Sequence, residues 1–522
     1  MHWKRWVEKS RFVAPYLYVL LVILGVYAAN KSMGIAVEAT DYAFVAVLMA
    51  GVTIGLLLGR IVLKDWDRVL AVIIPAEFLF LNFNLIKNGL AETGIDNVRL
   101  VMLLSSLLLL AVWIWTTGCF KKKRLLHLNV VVFLAIGLMT VYYATTAIAM
   151  SKTTTQRDSG FKPIAGFDAS KVPDKQKPDV YYILLDGYNR ADILKRYYGF
   201  DNSSFLDVLR SQGFFVADKS RSNYAHSFLS ISSTLRGNYT NDTIVQKYGR
   251  QSHDYSLPHT WLTDNEVFET FRTMGYSMAN YSSWELTDSS ADNDIRLPAG
   301  ADAGYIGGIH LGMVSQVAID NSALQFLVRQ DDYPKIARGI KASFRNAKLI
   351  ADYDQPTFSF IHILAPHPPY YFDRDGKLLT KKPIHSLKDW EDTRGFAEQT
   401  RYVNREVLSV VNKLLDKPEK PVIILASDHG GGSLGHFGKV GTEKKEFLLE
   451  RFSNLTAIYL PNEDYSSLYP RVTPVNFFRV VLNDQFGQDL KLLPDRQIYE
   501  PIKSLYDFVD VTDRINQAEA GI

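Results

Sequence analysis

The chain has one cysteine, Cys119, in 522 residues. A disulfide framework is therefore excluded, and an exported domain of this chain must rest on a large core or on a metal ion. Neither sign of charge dominates, with 58 lysines and arginines against 55 aspartates and glutamates and a net charge of +3. No basic surface of the kind that binds nucleic acid follows from that balance. Internal repeats and low-complexity tracts are missing too, and the apolar runs hold few charges, which argues against a transporter.

The average composition, 47% hydrophobic with mean hydropathy near zero, resembles that of a soluble protein. The average hides a strong asymmetry. Five long apolar runs, at about 13–29, 42–58, 69–86, 100–115 and 128–150, all precede residue 151. Each is near the ~20 residues that a membrane-crossing helix needs, although Glu77 and several asparagines set the third apart. Lys4, Arg5, Lys9 and Arg11 precede the first run, Arg60, Lys64 and Arg68 follow the second, and Lys121, Lys122, Lys123 and Arg124 follow the fourth. The alternate loops carry only Lys31 in one case and Lys87 with Arg99 in the other. The positive-inside rule then places the N-terminus in the cytoplasm and everything after Met150 outside. Cys119 falls at the cytoplasmic end of the fourth run, which leaves the exported part without cysteine. The first run lacks a small-residue cleavage site and is one of several, so no cleavable signal peptide is expected. Sequons at Asn202-Ser203-Ser204 and Asn238-Tyr239-Thr240 are read as chance, and the lack of disulfides favours a bacterial inner membrane with a periplasmic or extracellular catalytic domain.

Three domains are expected: a bundle of about five transmembrane helices over 1–150, a polar linker over 151–177, and a catalytic domain over 178–522. The last opens on the buried-type strand Val180-Tyr181-Tyr182-Ile183-Leu184-Leu185, which stops at Asp186-Gly187. Further strands are expected at 213–217, 275–281, 356–364, 421–426 and 455–460, and helices at 190–212, 333–351 and 393–415. Strands alternating with helices predict an α/β fold, a mainly parallel sheet covered on both faces. In such a sheet the functional groups gather beyond the carboxyl ends of the strands.

The run Val422-Ile423-Ile424-Leu425-Ala426 ends on Ser427-Asp428-His429-Gly430-Gly431-Gly432. Neighbouring residues of a strand point to opposite faces, so Asp428 and His429 can share one ion only if the backbone turns there, as glycine permits. Asp186 ends one strand, and His362 lies in another that runs into Pro366-His367-Pro368-Pro369. Any of these alone could be a turn former or a core histidine. Together they bring two carboxylates and at least two imidazoles to matching strand ends, and two carboxylates with one histidine suit zinc or manganese ahead of magnesium. A nucleophile could come from Ser227, Ser230 or Ser232 in the segment 222–235, where position alone does not choose and a capping serine is the alternative.

Leu185-Asp186-Gly187, Ser222-Asn223-Tyr224 with Ser227, Ser230 and Ser233 at intervals of three, His362 with Pro366-His367 and Pro369, and Ser427-Asp428-His429-Gly430 occur in that order. The ordered set resembles the alkaline phosphatase and sulfatase superfamily over about 178–499. It more closely resembles the membrane-anchored, sulfatase-like branch that includes lipoteichoic acid synthases and phosphoglycerol and phosphoethanolamine transferases. Glu450-Arg451-Phe452-Ser453-Asn454-Leu455 through Tyr459-Leu460-Pro461 is similar to that branch as well, and so is the plan of five helices ahead of an exported domain. The resemblance implies Asp186, Asp428 and His429 as metal ligands, Ser227 as a fourth ligand and the nucleophile, and His367 as the group that holds phosphoryl oxygens or protonates a leaving group. It implies similar work for His436, and substrate binding for His362 and Lys439. Serine stands where that branch usually has threonine, and Asp186 where its transferases often have glutamate.

The formylglycine motif of true sulfatases, Cys or Ser followed by x-Pro-x-Arg, is absent, since Phe228-Leu229-Ser230-Ile231 follows Ser227. Phe358 and Ile363 stand where two-metal relatives carry an aspartate four residues before a histidine, so a single ion is expected. The resemblance thus implies a transferase that takes a phospho-alcohol group from a membrane phospholipid through a covalent serine intermediate and hands it to a glycan or other envelope acceptor. Hydrolysis at the same site and a catalytically inactive envelope scaffold are the alternatives. The region 288–330 is expected to shape acceptor choice.

Overall fold

The computed structural model describes residues 10–30, 37, 39–83, 111, 122–154, 161–173, 177–252, 254–282, 305–306, 309–324, 332–353, 356–379, 387–435, 443–501 and 506–521. The chain forms two compact units, one of residues 1–157 with 304–331 and the other of 158–303 with 332–522.

The first unit contains helices α1 (Ala14–Asn30), α2 (Ala39–Leu63), α3 (Trp66–Leu81) and α4 (Lys122–Thr154). Among the described residues, three segments, Arg11–Ala28, Ala39–Leu63 and Arg124–Thr145, are long and apolar enough to cross a membrane. They correspond to the first, second and fifth expected runs. The third forms α3, which has Pro75 inside it and is 16 residues long, and nearly all of the fourth lies outside the described residues. Val47, Leu58, Val62, Leu138 and Val141 face outward and exposed, the pattern of helices solvated by lipid rather than water. Asp67 ties three helix starts together, accepting from Arg11 Nε at 2.9 Å and taking Asn129 Nδ2 on its backbone carbonyl at 2.9 Å. Helices α1, α3 and α4 therefore run in the same sense, with the described basic residues Arg11, Lys64, Arg68 and Arg124 at their starting end.

The opposite end of this unit receives a short return of the chain, which the sequence assigns to the catalytic domain. A two-stranded hairpin (Tyr305–Ile306 with Ile309–His310) leads into helix Met313–Asn321. Val314 and Ala318 of that helix pack on Val26 near the end of α1. Asp41, at the start of α2, accepts from the backbone N–H of Ser315 at 2.8 Å.

The second unit is built on a six-stranded sheet. Its strands are β1 (Val180–Leu185), β2 (Phe215–Val216), β3 (Ser277–Ser282), β4 (Thr357–Ile363), β5 (Val422–Ala426) and β6 (Thr456–Tyr459), in the order β2-β6-β5-β1-β4-β3. The pairs β1–β4, β1–β5 and β3–β4 are parallel, whereas β5–β6 and β2–β6 are antiparallel. Period-two alternation splits β1 between two cores. Tyr181, Ile183 and Leu185 join one with Phe344, Phe396 and Val407, and Val180, Tyr182 and Leu184 join the other with Phe271, Phe358 and Phe478. The sheet is thus covered by helices on both faces, as expected.

Two expectations need correction. The single helix expected over 190–212 is two, Ala191–Tyr198 and Ser203–Ser211, because Gly199 takes a left-handed conformation (φ 60°) that ends the first. The strand expected at 213–217 shrinks to two residues at the sheet edge. The helix over 393–415 has its expected bounds.

Candidate metal centre and nucleophile

Register sets the site. Leu184 of β1 lies level with His362 on β4 and with Ala426 on β5, so Asp186 and Asp428 emerge from adjacent strands just past the same level. Gly187, with φ 71°, lets the chain turn away directly after Asp186. One carboxylate oxygen from each of Asp186 and Asp428 and one ring nitrogen of His429 lie within 4.8 Å of one another, and all three residues are buried.

The polar partners of these groups are asymmetric. Asp186 Oδ2 lies 3.3 Å from His362 Nε2, and Asp428 Oδ1 accepts from the Gly187 N–H at 3.1 Å. Among the described residues, Asp186 Oδ1 and Asp428 Oδ2 are buried without a hydrogen-bond partner. His429 Nδ1 is 2.8 Å from the Gly430 carbonyl, which leaves Nε2 3.3 Å from Asp428 Oδ2 and 3.8 Å from Asp186 Oδ1. Two orphaned carboxylate oxygens and an imidazole nitrogen thus face one point. Such oxygens are costly to bury unless a cation joins them. The donor set can hold a divalent ion, for which tetrahedral bonds of about 2.0–2.1 Å bring ligand atoms to ~3.3 Å from one another.

Electrostatics agrees with that reading. Burial, and then the neighbouring Asp186 charge, push the Asp428 carboxyl up to about 7. Burial opposes the Asp186 charge, but His367, His362 and His429 together hold its carboxyl below the usual range. Burial and the Arg451 guanidinium hold the His429 imidazole well below its ordinary value, so it is a neutral donor.

Ser227 begins helix α5 (Ser227–Arg236), and its Oγ stands 3.1 Å from His429 Nε2. The other two candidate serines are occupied elsewhere. Ser230 Oγ donates to the Asp428 carbonyl at 2.6 Å, and Ser232 Oγ to the Leu229 carbonyl at 3.2 Å. His362 is buried in β4 beside Asp186. His367 is half-buried, with its ring 6.2 Å from that of His429 and edge-on to Trp390 at 4.9 Å. Its backbone N–H donates to the Asp186 carbonyl at 3.0 Å. His436 and Lys439 lie outside the described residues.

Of the three glycines after His429, Gly430 and Gly431 serve close packing. None of them has positive φ. A Cβ on Gly430 would run into the Glu450 carbonyl and the Asn189 amide, and one on Gly431 into the Tyr198 hydroxyl. Glu450, in helix α6 (Lys445–Phe452), accepts from Ser433 N at 2.7 Å, Leu434 N at 2.9 Å and Tyr198 Oη at 2.6 Å. Asn189 accepts from Gly431 N at 2.8 Å. Gly430→Ala is therefore expected to destabilise the protein by about 1–3 kcal/mol, because the obstacle is backbone rather than a flexible side-chain end; a thermal melt of purified variant against native protein checks this.

Sequence reasoning gave no site role to Asn189, Trp390, Arg451 and Glu500. Arg451 was signalled within the Glu450–Leu455 segment similar to the transferase branch. The others carried no local signal.

A parallel-centred sheet that delivers two carboxylates, an imidazole and a helix-start hydroxyl to one point defines an enzyme of the alkaline phosphatase class. A family model described as Sulfatase matches residues 178–509, more than half of the chain. The chain belongs to the sulfatase family. Among solved structures, the C-terminal periplasmic domain of EcEptC from Escherichia coli is 11% identical, with 67% of this chain and 96% of that one covered and a TM-score of 0.40. The soluble domain of lipooligosaccharide phosphoethanolamine transferase A from Neisseria meningitidis is 12% identical, with 60% and 88% covered and a TM-score of 0.37. A putative sulfatase from Bacteroides thetaiotaomicron is 14% identical, with 63% and 75% covered and a TM-score of 0.39. No curated protein matches the chain.

Proposed function

We propose that the chain is a membrane-anchored transferase that moves a phospho-alcohol group, of the phosphoglycerol or phosphoethanolamine type, from a membrane phospholipid to a glycan or other envelope acceptor. The observation that carries the reading is the Ser227 hydroxyl, 3.1 Å from His429 Nε2 at a helix start and beside two orphaned carboxylate oxygens. Membership of the sulfatase family supports chemistry at phosphorus or sulfur. The lack of the formylglycine motif after Ser227 favours phosphorus.

Asp186, Asp428 and His429 would hold one divalent ion, with Ser227 as fourth donor. The two carboxylates and the imidazole favour zinc or manganese over magnesium. When bound, the ion supplies Lewis-acid stabilisation of the alkoxide and of charge growing on the phosphoryl oxygens. Ser227 Oγ, its proton already lost to solvent, attacks phosphorus in line as the alkoxide, the bond to the lipid alcohol breaks, and protonated His367 gives the leaving oxygen its proton. The acceptor hydroxyl then attacks the seryl phosphodiester, returns a proton to His367 and frees Ser227. The N-terminal dipole of α5 favours the alkoxide. His362 keeps Asp186 oriented.

Topology supports a lipid donor outside the cytoplasm. Arg11, Lys64, Arg68 and Arg124 stand at the starting end of α1, α3 and α4, and α4 leads from its other end into the catalytic unit. Full-length protein in liposomes with headgroup-labelled phospholipid is expected to place label on protein and then on an added glycan acceptor. Label released only as free product would move the reading to a hydrolase, and the absence of any turnover with zinc or manganese present would favour the scaffold.

A further inference from the structure

Arg451 is a buried guanidinium that donates to two different loops. Nε donates to the Ala225 carbonyl at 2.8 Å and Nη1 to the Gly430 carbonyl at 3.1 Å. The Gly430 carbonyl is the same oxygen that faces His429 Nδ1 at 2.8 Å, and the Gly430 N–H returns to the Arg451 carbonyl at 2.7 Å. Opposite Arg451 stands Glu500. Strand β7 (Ile498–Tyr499) runs parallel to Tyr224, with the Ile498 N–H donating to the Asn223 carbonyl at 2.8 Å. That pairing delivers Glu500 Oε1 to the N–H groups of Ala225 at 2.9 Å and His226 at 2.7 Å. Ala225 is therefore gripped at its N–H by Glu500 and at its C=O by Arg451, two residues before Ser227.

We infer that Arg451, backed by Glu500, is a positioning residue that sets the separation between Ser227 Oγ and His429 Nε2 by tying the nucleophile turn to the metal loop. The inference rests on the reading of Ser227 as nucleophile. Two loops brought together from distant parts of the chain have no covalent reason to keep a fixed spacing. A planar guanidinium spans two acceptors at a set distance, which a lysine ammonium, a point charge on a flexible stem, does not. The Gly430 carbonyl also orients the His429 ring, so the same bridge acts on the metal side, where outer partners of ligating histidines govern affinity. Among the described residues, the hydrogen bonds of Glu500 go to the nucleophile side, to the N–H groups of Ala225 and His226 and to His226 Nδ1 at 3.2 Å. The two residues should therefore separate in experiment.

The test uses full-length protein, zinc as the metal probe, a competing chromophoric chelator to read zinc affinity, and a soluble chromogenic phosphodiester to read formation of the Ser227 adduct. Arg451→Lys is expected to slow adduct formation about 10–100-fold with little change in KM, and to weaken zinc binding about tenfold. Glu500→Met, which removes the acceptor, is expected to slow the adduct step by a similar factor while leaving zinc affinity within about twofold. Glu500→Gln, which keeps an oxygen for both N–H groups, restores the rate to within about fivefold of native. A general loss of folding would not produce this split between rate and zinc affinity. The inference is overturned if Arg451→Lys keeps both adduct rate and zinc affinity at native values; should the lysine variant not fold, Arg451→Gln is judged by the same two readouts. Ser227→Ala in the same series separates the two claims. An adduct that persists there sinks the nucleophile, whereas an inert Ser227→Ala beside a native-like Arg451→Lys sinks only the bridge.

Discussion

Ser227→Ala is expected to lower turnover by at least about 10⁴-fold, with no phospho-adduct visible by mass spectrometry of protein quenched in mid-reaction. The size follows from the chemistry. A double displacement has no bypass once its nucleophile is gone, and in catalytic sets that act as a unit, loss of one member removes most of the acceleration. Ser230→Ala is the control. Its hydroxyl holds the Asp428 carbonyl at 2.6 Å, so its loss weakens a support without touching the reacting atoms and should cost far less. An adduct found on Ser230 or Ser232 in the Ser227→Ala protein would reassign the nucleophile and leave the metal centre standing.

Zinc affinity is expected to fall about tenfold for each pH unit below about 7 and to level off above it. The cause is the Asp428 carboxyl, pushed up to about 7 by burial and then by the Asp186 charge. Below that pH a proton occupies the oxygen that the ion needs. The folded carboxyl lies above its unfolded value, so the metal-free protein holds on to a proton that the unfolded chain has given up. Its contribution to the stability of the metal-free protein is therefore present in acid and lost as pH rises to about 7. Added zinc should restore that stability at neutral pH, and thermal melts at pH 5 and pH 7.5 with and without the ion would show a larger zinc-dependent rise at the higher pH. Asp428→Asn, which keeps the shape and removes the charge, should weaken zinc on the order of 100-fold or more and flatten the pH dependence. A pH-independent affinity in native protein would mean that Asp428 is not a ligand.

Much of the site was legible because burial and charge collide at strand ends. A continuous apolar run stopping at Asp186, and another stopping at Asp428-His429, mark strand ends that the fold brings together as a candidate metal site. The amphipathic helix Thr393–Leu415 was legible for the same kind of reason, a sustained period of 3.6. Strand direction was not. Nothing in the residues of β6 says that it pairs antiparallel with β5, because the pairing depends on how the connecting chain returns. The purpose of Gly430 was misread as turning freedom, since the Glu450 carbonyl that crowds it comes from a distant helix. Arg451 and Glu500 act on backbone groups of remote segments, and a hydrogen bond to a carbonyl or an N–H leaves no side-chain pattern to read.

The return of residues 304–331 to the helical unit changes what counts as the detachable half of this molecule. The polypeptide passes between the units three times, at 157–158, 303–304 and 331–332. A protease nick in the first passage therefore leaves the C-terminal fragment still held by a helix whose Ser315 hydrogen-bonds to Asp41. A fragment cut to begin at residue 158 carries that helix away from its seat and bares Val314 and Ala318, so water-soluble preparations call for a short bridge in place of 304–331.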